Sequence, residues 1–248
     1  MGFILGLLIA CAVGLTGVGA GSITAPVLIL VFHLKPAVAV GTALTFSAVI
    51  KLAVLPVYLR SKQVDFRVLM LLCLGGVPGA LAGSLLLKKL SIATHERQIF
   101  LVLGITIVTL SLANLYRSVR YRRTVALQDH ARWLPPVAAL IGAEVGFSSA
   151  GAGALSAVAL LSLTKLTPAV VVGTDMVFGL TVSTISGGLH LLAGDYEPSL
   201  ALQFCIGGVI GVFIGALLSS RVPARQLRLA LSGCLIALGL QLCWKALG

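Results

Sequence analysis

The sequence predicts an all-α polytopic membrane protein made of two inverted repeats. Each repeat is expected to hold a broken or re-entrant helix hairpin plus three transmembrane helices. Three observations carry this expectation. Of 248 residues, 58% are hydrophobic and only 10% charged, with a mean hydropathy of +1.10; a soluble domain carries roughly 25% charged residues. Apolar runs of about twenty residues recur along the whole chain, the length that crosses a hydrocarbon core. And adding 132 to a residue number aligns the two halves without a gap from Gly14 to about Leu86.

That register is dense in glycine. Gly14, Gly19 and Gly21 fall on Gly146, Gly151 and Gly153; Pro36, Gly41, Thr42 and Phe46 fall on Pro168, Gly173, Thr174 and Phe178. Cys73, Gly75, Gly76, Gly79 and Gly83 fall on Cys205, Gly207, Gly208, Gly211 and Gly215. Unrelated apolar segments would not share one register through so many glycines, so the chain is a tandem duplication. Repeat 1 spans 1–116 and repeat 2 spans 134–248, within one integrated membrane domain. The basic stretch between them, 117–133, opens "RSVRYRRTVALQDHAR" and is the polar linker.

Each half contains four apolar elements: 1–33 (interrupted), 36–59, 66–87 and 98–116, then 134–165 (interrupted), 168–193, 199–220 and 226–247. The interrupted elements decide the topology. As helices, residues 1–14 rise about 21 Å and residues 22–33 about 18 Å, and neither alone crosses about 30 Å of hydrocarbon. The two pieces either stack end to end or fold back as a hairpin. With eight plain spans, the linker face carries nine Lys and Arg against eight opposite, which is no bias. With hairpins, each half has three full spans and the halves are inverted. The linker face then holds twelve (Arg60, Lys62, Arg67, five in the linker, Lys165, Arg221, Arg225 and Arg228) against five. Basic loops stay on the cytoplasmic side, so the inverted arrangement is expected, with the linker cytoplasmic and the loop "GDYEP" outside.

Broken backbone is tolerated in a membrane only where protein buries it or a cavity hydrates it. Two opposed hairpins would bring their tips, Gly14–Gly21 and Gly146–Gly153, near the midplane. The second arm of each begins at its tip, so free N–H groups and positive helix ends converge there, and glycine lets a ligand approach the backbone. This is the arrangement of an anion site at a repeat interface. Its candidate ligands are Gly17, Gly19, Gly21, Ser22, Ser148, Ser149, Gly151 and Gly153. Two alternatives stand: the tip glycines only permit tight packing, or carbonyls at the tips hold a cation or proton. For Gly75, Gly79, Gly83 and their equivalents, a doubled GxxxGxxxG reads as a helix-packing face.

Polar residues at depth extend the candidate site. Lys51 lies inside the 36–59 span, where an ionisable residue is expensive and by default functional; the alternative is snorkelling to the interface. Helical steps from Asp175 pass Gly179, Ser183, Ser186 and His190, a small polar stripe that either lines a water path or bonds a neighbouring helix. Asp175, Glu144 and His190 are the proton or coupling candidates. Thr42 and Thr174 either contact substrate or cap backbone freed at the hairpin.

Several classes are excluded. "GVGAGS" lacks the last glycine of a dinucleotide fingerprint and follows no strand, and there is no Walker sequence and no H-E-x-x-H. No enzymatic activity, cofactor or metal is expected. The bases flank apolar spans, so the charge of +11 points to positive cytoplasmic loops rather than nucleic acid. No cleavable leader is expected at "MGFILGLLIACAVG", and the five cysteines read as buried thiols without a disulfide framework.

The glycine-rich first segment leading to a proline-led helix with "GTAL", repeated as "GAGALSAVALLSLTKLTPAVVVGTDM", resembles the sulfite exporter TauE/SafE family. The resemblance covers almost the whole chain. It implies a bacterial or archaeal inner-membrane, ATP-independent carrier of small sulfur-containing anions such as sulfite, sulfoacetate and other organosulfonates, with export the expected direction. A passive anion channel and an uptake permease for a related anion are the alternatives. The implied partners are a small anionic substrate and membrane lipid; the choice between monomer and homodimer stays open.

Overall fold

The computed structural model describes residues 1–16, 19–92, 96–120, 130–150, 153, 155–218 and 224–247. These form α1 (Gly2–Thr16), α2 (Gly21–Val31), α3 (Pro36–Arg60), α4 (Phe66–Ile92) and α5 (Glu96–Arg120). A short 3-10 turn at Ala131–Trp133 leads into α6 (Leu134–Ser148), α7 (Leu155–Leu163), α8 (Pro168–Leu192), α9 (Pro198–Leu218) and α10 (Ala224–Leu247). Among the described residues there is no strand. Both interrupted segments break at the glycine motifs, α1 from α2 and α6 from α7. Pro36 and Pro168 open α3 and α8, where a missing N–H costs nothing and a fixed φ suits the first turn.

Four helices (α3, α4, α8 and α9) are long and apolar enough to cross a membrane by length and composition. The helices α5 and α10 have 25 and 24 residues, with continuous apolar stretches at Arg97–Leu112 and Leu231–Ala246. Large apolar side chains such as Met70, Leu74, Leu140, Leu192, Leu217 and Trp244 stand exposed, as suits a surface solvated by lipid. Cysteines were expected to be buried; instead Cys234 is exposed and the other four are half-buried, all free. A thiol is apolar enough to face lipid as readily as core.

The glycine faces dock each half on the other. A Cβ on Gly75, Gly79 or Gly83 of α4 would strike the backbone carbonyl of Pro135, Ala139 or Ala143 of α6. A Cβ on Gly207, Gly211 or Gly215 of α9 would strike that of Phe3, Leu7 or Cys11 of α1. The two sets of partners are again 132 apart. The first helix of each repeat, α1 or α6, therefore packs in parallel into the glycine groove of the other repeat, and partner numbers rise together along both helices. Phe46 and Phe178 fill the matching gaps over Gly208 and Gly76, and Phe46 meets Phe204 edge to face at 5.5 Å between centroids.

The repeat-equivalent helices pair the other way. Along α3 and α8, Gly41 lies against His190, Thr45 against Gly187, and Lys51 reaches Ser183. As α3 advances, its partners in α8 recede: the two run antiparallel. So do α5 and α10, where Arg97 donates to the Ala246 carbonyl, Lys245 lies 5.3 Å from the Phe100 ring centroid, and Gly104 packs on Gly239. The centre of the fold is thus the α3–α8 crossing, flanked by the two broken helices α1–α2 and α6–α7.

Candidate functional site

Lys51 sits at that crossing. Its residue is 7% exposed, Ser47 2% and Ser183 1%. The Lys51 Nζ donates to Ser183 Oγ at 3.4 Å, and Ser183 Oγ donates to Ser47 Oγ at 3.5 Å. An ammonium carries three donors, and one long bond to a hydroxyl leaves most of that capacity for an anion. A cation buried this deeply is costly unless it is paired.

The two helix breaks meet each other. Ser149 ends α6 in the left-handed region, φ 59°, and its Oγ donates to the Gly21 carbonyl at the start of α2, 2.9 Å away. A Cβ at Gly21 would strike the Ser149 backbone oxygen, so glycine is required for the tips to touch. Gly153, φ 99°, is the equivalent of Gly21 and also uses conformations that side chains disfavour. Its amide donates to Ser156 Oγ at 3.1 Å, and Ser156 Oγ in turn donates to the Asp175 carboxylate.

The stripe on α8 continues from there. Asp175, Gly179, Ser183, Ser186 and His190 are all buried. Ser186 Oγ and His190 Nε2 have no hydrogen-bond partner among the described residues, while His190 Nδ1 lies 3.8 Å from Asp195 Oδ2. Asp175 to His190 is about 22 Å of helical rise, so these buried groups form a polar seam along most of α8.

The remaining candidates are placed as follows. Ser22 Oγ donates to the Gly19 carbonyl at 2.7 Å. Ser148 Oγ donates to Glu144 Oε1 at 2.6 Å and accepts from the Ala150 amide at 3.1 Å. Glu144 lines a groove of about 520 Å3 between α5, α6 and α7, with Thr106, Thr109 and Ser162; this groove lies away from the α3–α8 crossing. Thr174 Oγ1 accepts from the Asp65 amide at 3.0 Å and Thr42 Oγ1 from the Glu197 amide at 3.1 Å. Each threonine thus satisfies an otherwise free N–H at the start of α4 or α9. Gly17, Gly151 and most of the linker, 121–129, lie outside the described residues.

The whole arrangement has known relatives. Residues 2–242 match the model of the family described as Sulfite exporter TauE/SafE. The chain belongs to the TauE/SafE family. It is 31% identical over 248 residues to YjnA of Bacillus subtilis strain 168, named a probable membrane transporter protein, covering 96% of this chain and 97% of that one. A protein of the same description from Xylella fastidiosa strain Temecula1 is 26% identical over 255 residues, covering 97% and 93%. A second Bacillus subtilis relative of that description, YunE, is 24% identical over 269 residues, covering 98% and 97%. No solved structure matches. The chain is a transmembrane transporter of this family.

In this TauE/SafE chain, sequence reasoning singled out Lys51, the tips and the α8 stripe as candidates, but missed that Lys51 bonds Ser183 and Ser156 bonds Asp175. Lys51 and Ser183 are 132 residues apart, so each is the other's equivalent, and the repeat offset already contained that pairing. The Asp175–Ser156 bond has a weaker signal: both residues lack an equivalent of the same type, since Ala43 and Thr24 stand in repeat 1.

Proposed function

We propose that this TauE/SafE protein is an ATP-independent secondary transporter that exports small sulfur-containing anions such as sulfite, sulfoacetate and other organosulfonates. The anion binds near the bilayer midplane, between the hairpin tips and beside Lys51. The two repeats are inverted about an axis through the α3–α8 crossing, and the basic linker is cytoplasmic. The antiparallel pairing of α3 with α8 and of α5 with α10 supports inversion; eight plain spans would make both pairs parallel.

The observation that carries the reading is Lys51, 7% exposed and bonded at 3.4 Å to its own repeat equivalent. Sulfonates stay ionised at physiological pH, so a carrier must meet them with positive potential. In this structure the hydroxyls of Ser22, Ser148 and Ser149 donate to the Gly19 carbonyl, Glu144 and the Gly21 carbonyl, so each would exchange that bond for one to the anion on binding. Export agrees with the inside-negative potential, which drives each negative charge outward by about 2.3 kcal/mol per 100 mV.

Reconstitution into proteoliposomes tests this. Sulfite, sulfoacetate or methanesulfonate should leave loaded vesicles by a saturable route that needs no ATP, and sulfate should compete less well. A steady conductance without saturation would mark a channel instead, and accumulation against the potential an uptake permease.

A further inference from the structure

The second break carries a carboxyl that the α3–α8 crossing does not use. Glu144 stands about 15 Å of helical rise from the start of α6 at Leu134. It lines the groove of about 520 Å3 with Thr106 and Thr109 of α5. Helix α7 ends where α6 begins, since the His130 amide donates to the Leu163 carbonyl at 2.9 Å. The groove therefore follows both helices from the linker end, at Val137 and Leu163, to the break, at Glu144 and Leu155.

At the break Glu144 holds Ser148, which is fully buried. A hydroxyl has one hydrogen and two lone pairs. Ser148 Oγ accepts from the Ala150 amide at 3.1 Å and donates to Glu144 Oε1 at 2.6 Å, with the Glu144 backbone carbonyl also in reach at 3.1 Å. Among the described residues no Lys, Arg or His forms an ion pair with Glu144. The elements around it bring no charge: α5 and α7 present the hydroxyls of Thr106, Thr109 and Ser162 to the groove. Helix α4 packs Gly83 on Ala143 and bonds the Gly146 carbonyl through Ser84, and α2 approaches through Gly21. The carboxyls and imidazole of Asp175, Asp195 and His190 are engaged elsewhere, Asp175 with Ser156 and His190 with Asp195.

We propose that Glu144 is a proton-binding site, filled and emptied from the linker end of the groove, that decides whether Ser148 can bond the anion. This rests on the anion-carrier reading above and deepens it by giving the second tip a proton as co-ligand. While ionised, the carboxylate only accepts, and its charge-assisted bond takes the Ser148 hydrogen. A hydronium in the groove gives its proton to Oε1 and leaves as water. The new O–H donates to the remaining lone pair of Ser148 Oγ, and the serine hydrogen is released. In the empty protein that hydrogen turns to the Glu144 backbone carbonyl; an anion, as a charged acceptor, takes it instead. The negative charge beside the tip is removed in the same step. Proton and anion thus strengthen each other's binding by one common factor. Repeat 1 has no such device, because Ala12 and Thr16 stand at the equivalent positions.

Methanesulfonate, ionised at every working pH, tests this. Its affinity for purified wild-type protein, followed from about pH 8 down to about pH 4, past the ordinary glutamate range, should rise at least tenfold. In weak buffer, binding at the alkaline end should draw protons from solution. Glu144→Gln, whose amide donates to Ser148 without titrating, should bind at about pH 8 as tightly as wild type does at about pH 4, with no proton uptake. Ser148→Ala should bind weakly at every pH and also lose the pH dependence, and it provides the readout if the Gln protein does not fold. Asp175 and His190 are present in all three proteins, so a wild-type pH profile surviving in either variant would overturn the proposal while leaving the carrier intact. So would wild-type affinity that does not change with pH. Wild-type protein that binds none of methanesulfonate, sulfoacetate and sulfite at any pH would overturn the sulfur-anion reading, and this proposal with it.

Discussion

Lys51 donates to Ser183, the residue that stands in its own place in the other repeat. Two equivalent residues can touch only where the repeats meet on their common axis. If that axis lies in the membrane plane, as it must for inverted halves, Lys51 lies at mid-depth. From there to Arg60 at the end of α3 is about 14 Å of helix, too far for a lysine stem that is already spent on Ser183. The pair therefore places a buried ammonium where the two repeats meet.

The glycine grooves make a sharp stability prediction. Gly79→Leu would drive a side chain into the Ala139 carbonyl, and backbone cannot turn aside as a side chain can. Overpacking of this kind costs about 1–3 kcal/mol or more, so the purified variant should melt well below wild type or fail to insert. Gly188→Ala, with nothing within 4 Å of the added atom, should melt with wild type.

At the tips, Ser149→Ala removes the bond to the Gly21 carbonyl and should cost about 1 kcal/mol. Gly21→Ala should cost more, because its Cβ meets the Ser149 backbone oxygen. Both should reduce methanesulfonate flux beyond what the thermal shift explains. Full flux in a destabilised Gly21→Ala protein would separate tip geometry from transport.

Inversion is open to labelling. In a functional cysteine-free background, Ser199→Cys should react with an impermeant thiol reagent from outside, and Ser61→Cys only after permeabilisation. Both positions are exposed, and neither needs the left-handed backbone found at Gly194. An eight-span chain puts both loops on one face, so matching reactivity would overturn inversion.

Helix positions were legible because they rest on local signals: Pro36 and Pro168 start helices, and the glycine clusters at 14–21 and 146–153 break them. The glycine faces were legible as contact surfaces, but not the exchange by which α4 grips α6 and α9 grips α1, because spacing names a face without naming its partner. The α8 stripe read equally well as a water path or as bonding to a neighbour; Ser183 bonds Lys51, while Ser186 and His190 keep unpartnered atoms. Asp175 could be singled out as a carboxylate at depth. Its attachment to Ser156 could not, since nineteen residues and a turn separate them and neither recurs in repeat 1.

The central claim is that Lys51 meets the anion as a charge. Lys51→Met keeps the length of the stem and removes the ammonium. An ion pair at about 4 Å is worth roughly 4 kcal/mol at an effective dielectric of 20, partly offset by desolvation. Methanesulfonate affinity of the purified Met variant, measured beside its melting temperature, should fall at least tenfold, or about 1.4 kcal/mol, with folding intact. Lys51→Arg should retain part of the affinity, since its broader fork keeps the charge in another geometry. An unchanged dissociation constant in a well-folded Lys51→Met protein would contradict the account.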